Sequence, residues 1–215
     1  MIKIKEPVSS LSHLFGAILS VLGLVILLYN AAKFGTVWHI VSFSIYGASL
    51  ILLFSASAIY HMLDISERAS NILRKIDHMM IFILIAGTYT PIAIVALRGG
   101  WGWSIFGVTW GIAITGIVLK GLWINMPRWL STAIYLLMGW IVVIAFYPLV
   151  QSVPLGGVLW LVAGGLAYSI GAIIYGTKWP NITTKHFGFH EIFHIFVLAG
   201  GFFHFILMYK YIMNL

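Results

Sequence analysis

The 215-residue chain contains no cysteine. Disulfides and thiolate metal sites are therefore excluded, and any bound metal must be held by histidine and carboxylate. Charge is nearly as scarce. Only 8% of residues are Asp, Glu, Lys or Arg, where a soluble domain has about a quarter. With 61% hydrophobic residues and a mean hydropathy of +1.04, the chain cannot have water as its main solvent. There is also no polar stretch long enough to form a soluble domain. The net charge of +7 thus has no basic groove in which to present itself, which excludes nucleic acid as a partner. Basic loops at a membrane surface account for the charge better.

What the sequence does have is long apolar runs. About twenty apolar residues in a helix cross a bilayer, and seven such segments can be read, near 11–31, 38–62, 74–97, 101–121, 129–149, 154–176 and 187–211. Glycine, proline and charge punctuate the breaks, as in Asp64-Ile65-Ser66-Glu67-Arg68 and Asn125-Met126-Pro127-Arg128. The first segment follows a basic end without a small-residue cleavage site, so it reads as a retained helix and not a signal peptide. The expected fold is an all-α integral membrane protein, one seven-transmembrane bundle over residues 1–215 with no convincing internal repeat. Pro91 is expected to kink the third segment. Gly107-x-x-x-Gly111 and the glycines at 164, 165 and 171 are expected to mediate close helix packing.

Lysine and arginine set the expected orientation. One side would carry Lys3, Lys5, Arg68, Arg74, Lys75, Lys120, Arg128, Lys178 and Lys185, the other only Lys33, Arg98 and Lys210. Nine against three places the N-terminus in the cytoplasm and the C-terminus outside, opposite to G-protein-coupled receptors.

Ionisable residues within spans are costly and therefore informative. On this topology all five acidic residues, Glu6, Asp64, Glu67, Asp77 and Glu191, fall at the cytoplasmic side. His61 ends the second segment there, Asp77 and His78 begin the third, and His190 and His194 begin the seventh. Residues distant in sequence thus reach one membrane depth. His190 and His194 are four apart and share a helix face, as do Ser57 and His61. Two histidines from one helix and one from another make a three-ligand zinc site with a position left for water. A buried Asp77 is costly alone but is stabilised beside a cation. It is assigned to hold the metal's water, as an outer partner or as proton acceptor, and Ser57 to bond that water or a substrate carbonyl. His204, fourteen residues beyond His190, lies about 20 Å further along and reads as structural or as part of a separate polar path. His13 and His39 read as interfacial, and His186 as a surface residue.

His190-Glu191-Ile192-Phe193-His194 also fits H-E-x-x-H, the zincin signature in which the glutamate is general base. That reading suggests an intramembrane metalloprotease. Asp77 is followed by His78, not the glycine usual in such proteases, and His61 is available as third ligand.

SASAIYH (55–61), the aspartate in RKIDHMMIFILIAGTYTP (74–91) and HEIFHIFVLAGGFFHF (190–205) resemble the hemolysin III branch of the progestin and adipoQ receptor family. That family belongs to a wider superfamily of membrane hydrolases that includes alkaline ceramidases. The resemblance covers nearly the whole chain. Each motif is weak alone, but the set (Ser-x-x-x-His, an Asp in the next helix, His-x-x-x-His in the last) is specific. It implies zinc on His61, His190 and His194, with Asp77 near the metal's water and Ser57 on the same site. It also implies seven helices around a cavity open to the cytoplasm or inner leaflet. The long N-terminal domain of eukaryotic adiponectin receptors has no counterpart here, so their hormone partners are not carried over. The brevity suits a bacterial member in the plasma membrane. The implied activity is zinc-dependent hydrolysis of a lipid amide or ester. A non-enzymatic hemolysin, or a membrane-homeostasis or sensor protein with structural zinc, is the alternative.

Overall fold

A computed structural model describes residues 4–123, 126–182, 184 and 187–215. His186, expected at the surface, lies outside the described residues. Seven helices long and apolar enough to cross a membrane are present among the described residues: α1 (Pro7–Phe34), α2 (Val37–Met62), α3 (Glu67–Leu97), α4 (Gly99–Leu122), α5 (Arg128–Ser152), α6 (Leu155–Thr177) and α7 (Phe189–Asn214). The chain is a multi-pass membrane protein, and its surface agrees. Leu11, Ile18, Val25, Ile114, Leu137 and Leu159 all point outward. An apolar surface of that extent is stable against lipid and not against water. The interior is correspondingly polar in places, with Ser9, Ser10, His13, Ser57, His61, His194 and His204 all buried.

Neighbouring contacts close a ring in the order α1, α2, α3, α5, α6, α7 and back to α1, with α4 packed outside against α3. α3 is the most enclosed span. Two helices begin earlier than their apolar runs. Pro7 sits in the first turn of α1, where its missing N–H costs nothing and its fixed φ suits a helix. α3 begins at Glu67, and its first turns carry the exposed Glu67, Arg68, Asn71 and Arg74.

Proline shapes α3 and α5. After Pro91, α3 widens into a π-helical stretch, Ile92–Leu97, so the expected disturbance is a change of helical pitch. α5 is α-helical over Arg128–Gly139, tightens to a 3-10 stretch over Ile141–Ala145 and resumes at Phe146–Ser152. Pro148 removes an N–H and crowds the carbonyl four residues back, at Ile144 within that stretch. The Tyr89 hydroxyl on α3 repairs the break. It donates to Gly139 O at 2.7 Å and accepts from Val142 N–H at 2.9 Å.

The glycines divide. A side chain at Gly164 would strike the His204 ring, and Gly171 lies against Phe196 and Phe193, so these two let α6 approach α7 closely. Gly107 and Gly111 do not behave as expected. Nothing lies within 4 Å of the place a Cβ would occupy at either, because that face of α4 is on the outside of the bundle.

Candidate metal centre

Two local features bring the histidines together. His61 occupies the last turn of α2, one turn after Ser57. His190 and His194 occupy the first turns of α7, which opens on Gly188 with Glu191 as its cap. The Glu191 Oε2 accepts from the Gly188 N–H at 2.8 Å, satisfying a donor that a helix start leaves free.

The three rings meet through their Nε2 atoms. His190 Nε2 lies 3.3 Å from His61 Nε2 and 3.1 Å from His194 Nε2. The ligand atoms of all three lie within 4.8 Å of one another. His61 and His194 are fully buried and His190 is half-buried. Nitrogens bound at 2.0–2.1 Å to one tetrahedral ion are about 3.3–3.4 Å apart, which is close to the spacing seen. This group could hold a metal ion. The donor set is three imidazoles with no thiolate, which suits zinc and also other first-row divalent ions.

Ser57 and Asp77 line a cavity with His190 and His194. The cavity has a volume of about 140 Å³, roughly ten times what a single water requires. Its wall is mostly apolar, with Leu53, Ile81, Leu84, Phe193 and Val197 among its residues. Next to Asp77, His78 Nδ1 lies 3.5 Å from Oδ2 and donates to Arg74 O at 2.7 Å. Since Nδ1 carries the proton, His78 Nε2 accepts from the Tyr175 hydroxyl at 3.0 Å.

Other polar residues fall into place differently. Glu191 does not face the three Nε2 atoms with a free oxygen: Oε1 accepts from Ser9 Oγ at 2.8 Å and Oε2 from Gly188 N. His13, expected at the interface, is buried and stacks on His194, ring centroids 3.7 Å apart and planes 19° from parallel. The first turns of α1 are drawn inward against α7, which removes His13 from the membrane surface. His39 is buried too, donating through Nε2 to Ile212 O at 3.2 Å. His204 lines the same cavity as Asp77, so its polar environment is not a separate path. Its Nε2 donates to Leu161 O at 3.2 Å.

One residue next to the site was not singled out from the sequence. Glu6 places Oε2 on His61 Nδ1. That contact holds the Glu6 carboxyl below the usual carboxylate range against the opposing effect of partial burial, and Lys5 adds to it. The available signal was its position: a carboxylate immediately before Pro7, among only five acidic residues in the chain.

The Haemolysin-III related family profile matches residues 1–205. A protein described as Hemolysin-3 homolog, from Bacillus subtilis, is 40% identical over 202 residues, covering 94% of this chain and 92% of its own. Hemolysin-3 of Bacillus cereus is 36% identical over 197 residues, 92% of this chain and 87% of its own. The human Monocyte to macrophage differentiation factor is 26% identical over 185 residues, 81% of this chain and 72% of its own.

Proposed function

The chain belongs to the haemolysin III family, and from that premise we propose that His61, His190 and His194 bind zinc for the hydrolysis of a lipid amide or ester. The observation that supports this reading most is one of position. Three imidazole nitrogens converge, and the cavity that His190 and His194 help to line is also lined by Ser57, Asp77 and mostly apolar side chains.

Zinc held there would supply Lewis-acid activation of a water and of the scissile carbonyl. The remaining work falls to the protein. Asp77 accepts the proton released by the attacking water and passes it to the leaving group. A carboxylate within reach of the attacking water is suited to that exchange. Ser57, which lines the same cavity, donates a hydrogen bond to the carbonyl oxygen. His78, fixed by Arg74 O and Tyr175, packs next to the carboxylate without donating to it. The apolar wall takes an acyl chain and excludes water from it. With the N-terminus in the cytoplasm, the site sits a short way below the inner-leaflet headgroups, within reach of a lipid whose tails remain in the bilayer.

The test is a lipid panel offered to purified zinc-loaded protein. Fatty acid is released by the wild type and not by Asp77→Ala, with metal content equal in both. Absence of release from the wild type on every lipid, with zinc bound, rejects hydrolysis.

A second reading is favoured by the placement of the ligands. They join α2 to α7, so a bound ion would also fasten the ring of helices. Under this reading the metal is structural in a membrane-perturbing or membrane-homeostasis protein, in keeping with the name Hemolysin-3 carried by the Bacillus cereus relative. Leakage from liposomes that is unaffected by Asp77→Ala separates it from hydrolysis.

A further inference from the structure

Glu6, Ser9 and His13 are three and four residues apart, a spacing that puts them on one stripe of a helix. Glu6 stands immediately before α1, and Ser9 and His13 lie in its first two turns. Each touches a different part of the metal centre. Glu6 bonds His61 Nδ1, Ser9 bonds Glu191 Oε1 at 2.8 Å, and His13 stacks on His194. The backbone is fastened at the same point, with Glu6 N–H donating to His61 O at 2.9 Å and Lys5 N–H to Met62 O at 3.2 Å. These bonds occupy carbonyls that the end of α2 leaves without an intrahelical partner.

A neutral imidazole has one N–H and one lone pair. A carboxylate accepting from Nδ1 leaves the lone pair on Nε2. On His61 that is the nitrogen aimed at His190, 3.3 Å away. With an ion in the cluster, the opposite tautomer would turn a proton toward the ion and a lone pair toward the Glu6 carboxylate, unfavourable on both sides of the ring. Lys5 Nζ lies 3.9 Å from the other Glu6 oxygen and favours the ionised carboxylate.

We propose that the start of α1 is the outer frame of the metal centre, and that Glu6 is its positioning residue, fixing the tautomer and orientation of the ligand His61. The inference rests on the metal-binding half of the proposed function and is independent of hydrolysis. Carboxylates that accept from a ligand histidine are generally worth about 10–100-fold in metal affinity.

The experiment is chelator-competition titration of zinc into wild type, Glu6→Gln and Glu6→Asp, with the cobalt-loaded absorption spectrum and the thermal unfolding of the metal-free proteins recorded alongside. Glu6→Gln is expected to bind zinc about 10–100-fold more weakly with an altered cobalt spectrum, at a metal-free midpoint close to wild type. Glu6→Asp is expected to recover part of the affinity. Wild-type affinity and spectrum in Glu6→Gln would overturn the role of Glu6 while leaving metal binding intact. A wild type that binds neither ion would overturn the metal reading itself, and this inference with it. If Glu6→Gln does not fold, the ¹⁵N shifts of the His61 ring in the metal-free wild type decide. Protonated Nδ1 is expected, and protonated Nε2 overturns the proposal.

Discussion

The rings of His13 and His194 lie nearly parallel with centroids 3.7 Å apart, and among the described residues neither His13 nitrogen has a hydrogen-bond partner. His13 therefore acts on its neighbour through shape. Replacing a buried unpaired polar ring by an apolar ring of similar size is close to neutral or stabilising, whereas truncation leaves a void costing about 3–5 kcal/mol. His13→Phe is expected to keep the wild-type midpoint or raise it, and to keep its metal. His13→Ala is expected to lower both midpoint and metal affinity. Thermal unfolding and chelator competition check the pair. Loss of metal in His13→Phe would mean that a His13 nitrogen is needed.

Tyr89 bridges Gly139 O and Val142 N where α5 is broken. Tyr89→Phe keeps the ring and leaves both groups unpaired inside the protein, a loss of about 1–3 kcal/mol each. A clearly lowered unfolding midpoint is expected, with metal content unchanged, since Tyr89 touches none of the three histidines. An unchanged midpoint would show that α5 does not depend on the bridge.

Glu191 differs from a zincin base in that both its oxygens serve the framework, one on Ser9 and one on Gly188 N. Glu191→Gln keeps an oxygen for the Gly188 N–H and turns its NH2 to Ser9, whose hydroxyl can accept instead. Metal binding and lipid hydrolysis are expected to stay within a few-fold of wild type. Loss of the general base from a protease would instead cost about 10²–10⁴-fold, so rates from the Glu191→Gln variant separate the two chemistries.

The seven spans were legible because a bilayer demands about twenty apolar residues per crossing, and the sequence has seven such runs. The His61, His190 and His194 cluster was legible for a related reason. Helical spacing and shared membrane depth leave few places for expensive residues to go, and the same logic points to Ser57 and Asp77, which line a cavity with His190 and His194. Glu6 and His13 were not found this way. Their importance comes from α1 packing on α2 and α7, a tertiary contact that no local spacing reports, and a histidine near a helix start resembles an interfacial one. Gly107 and Gly111 erred in the other direction. Their spacing suggests a packed face, and the face is open because α4 stands outside the ring. The break in α5 needs Pro148 and Tyr89 together, of which only the proline is a local signal.

The claim beneath all of this is that three histidines from two helices hold one metal ion. It is tested most directly by elemental analysis of the purified wild type beside His61→Ala and His194→Ala, with unfolding midpoints taken with and without chelator. A ligand that binds only the folded state stabilises it by about 2.7 kcal/mol at a hundred times its Kd. The wild type is expected to carry about one zinc per chain and to lose stability when it is stripped. Both variants are expected to be metal-poor and indifferent to chelator. A metal-free wild type that cannot be loaded, or variants that keep the wild-type metal content, would contradict the account.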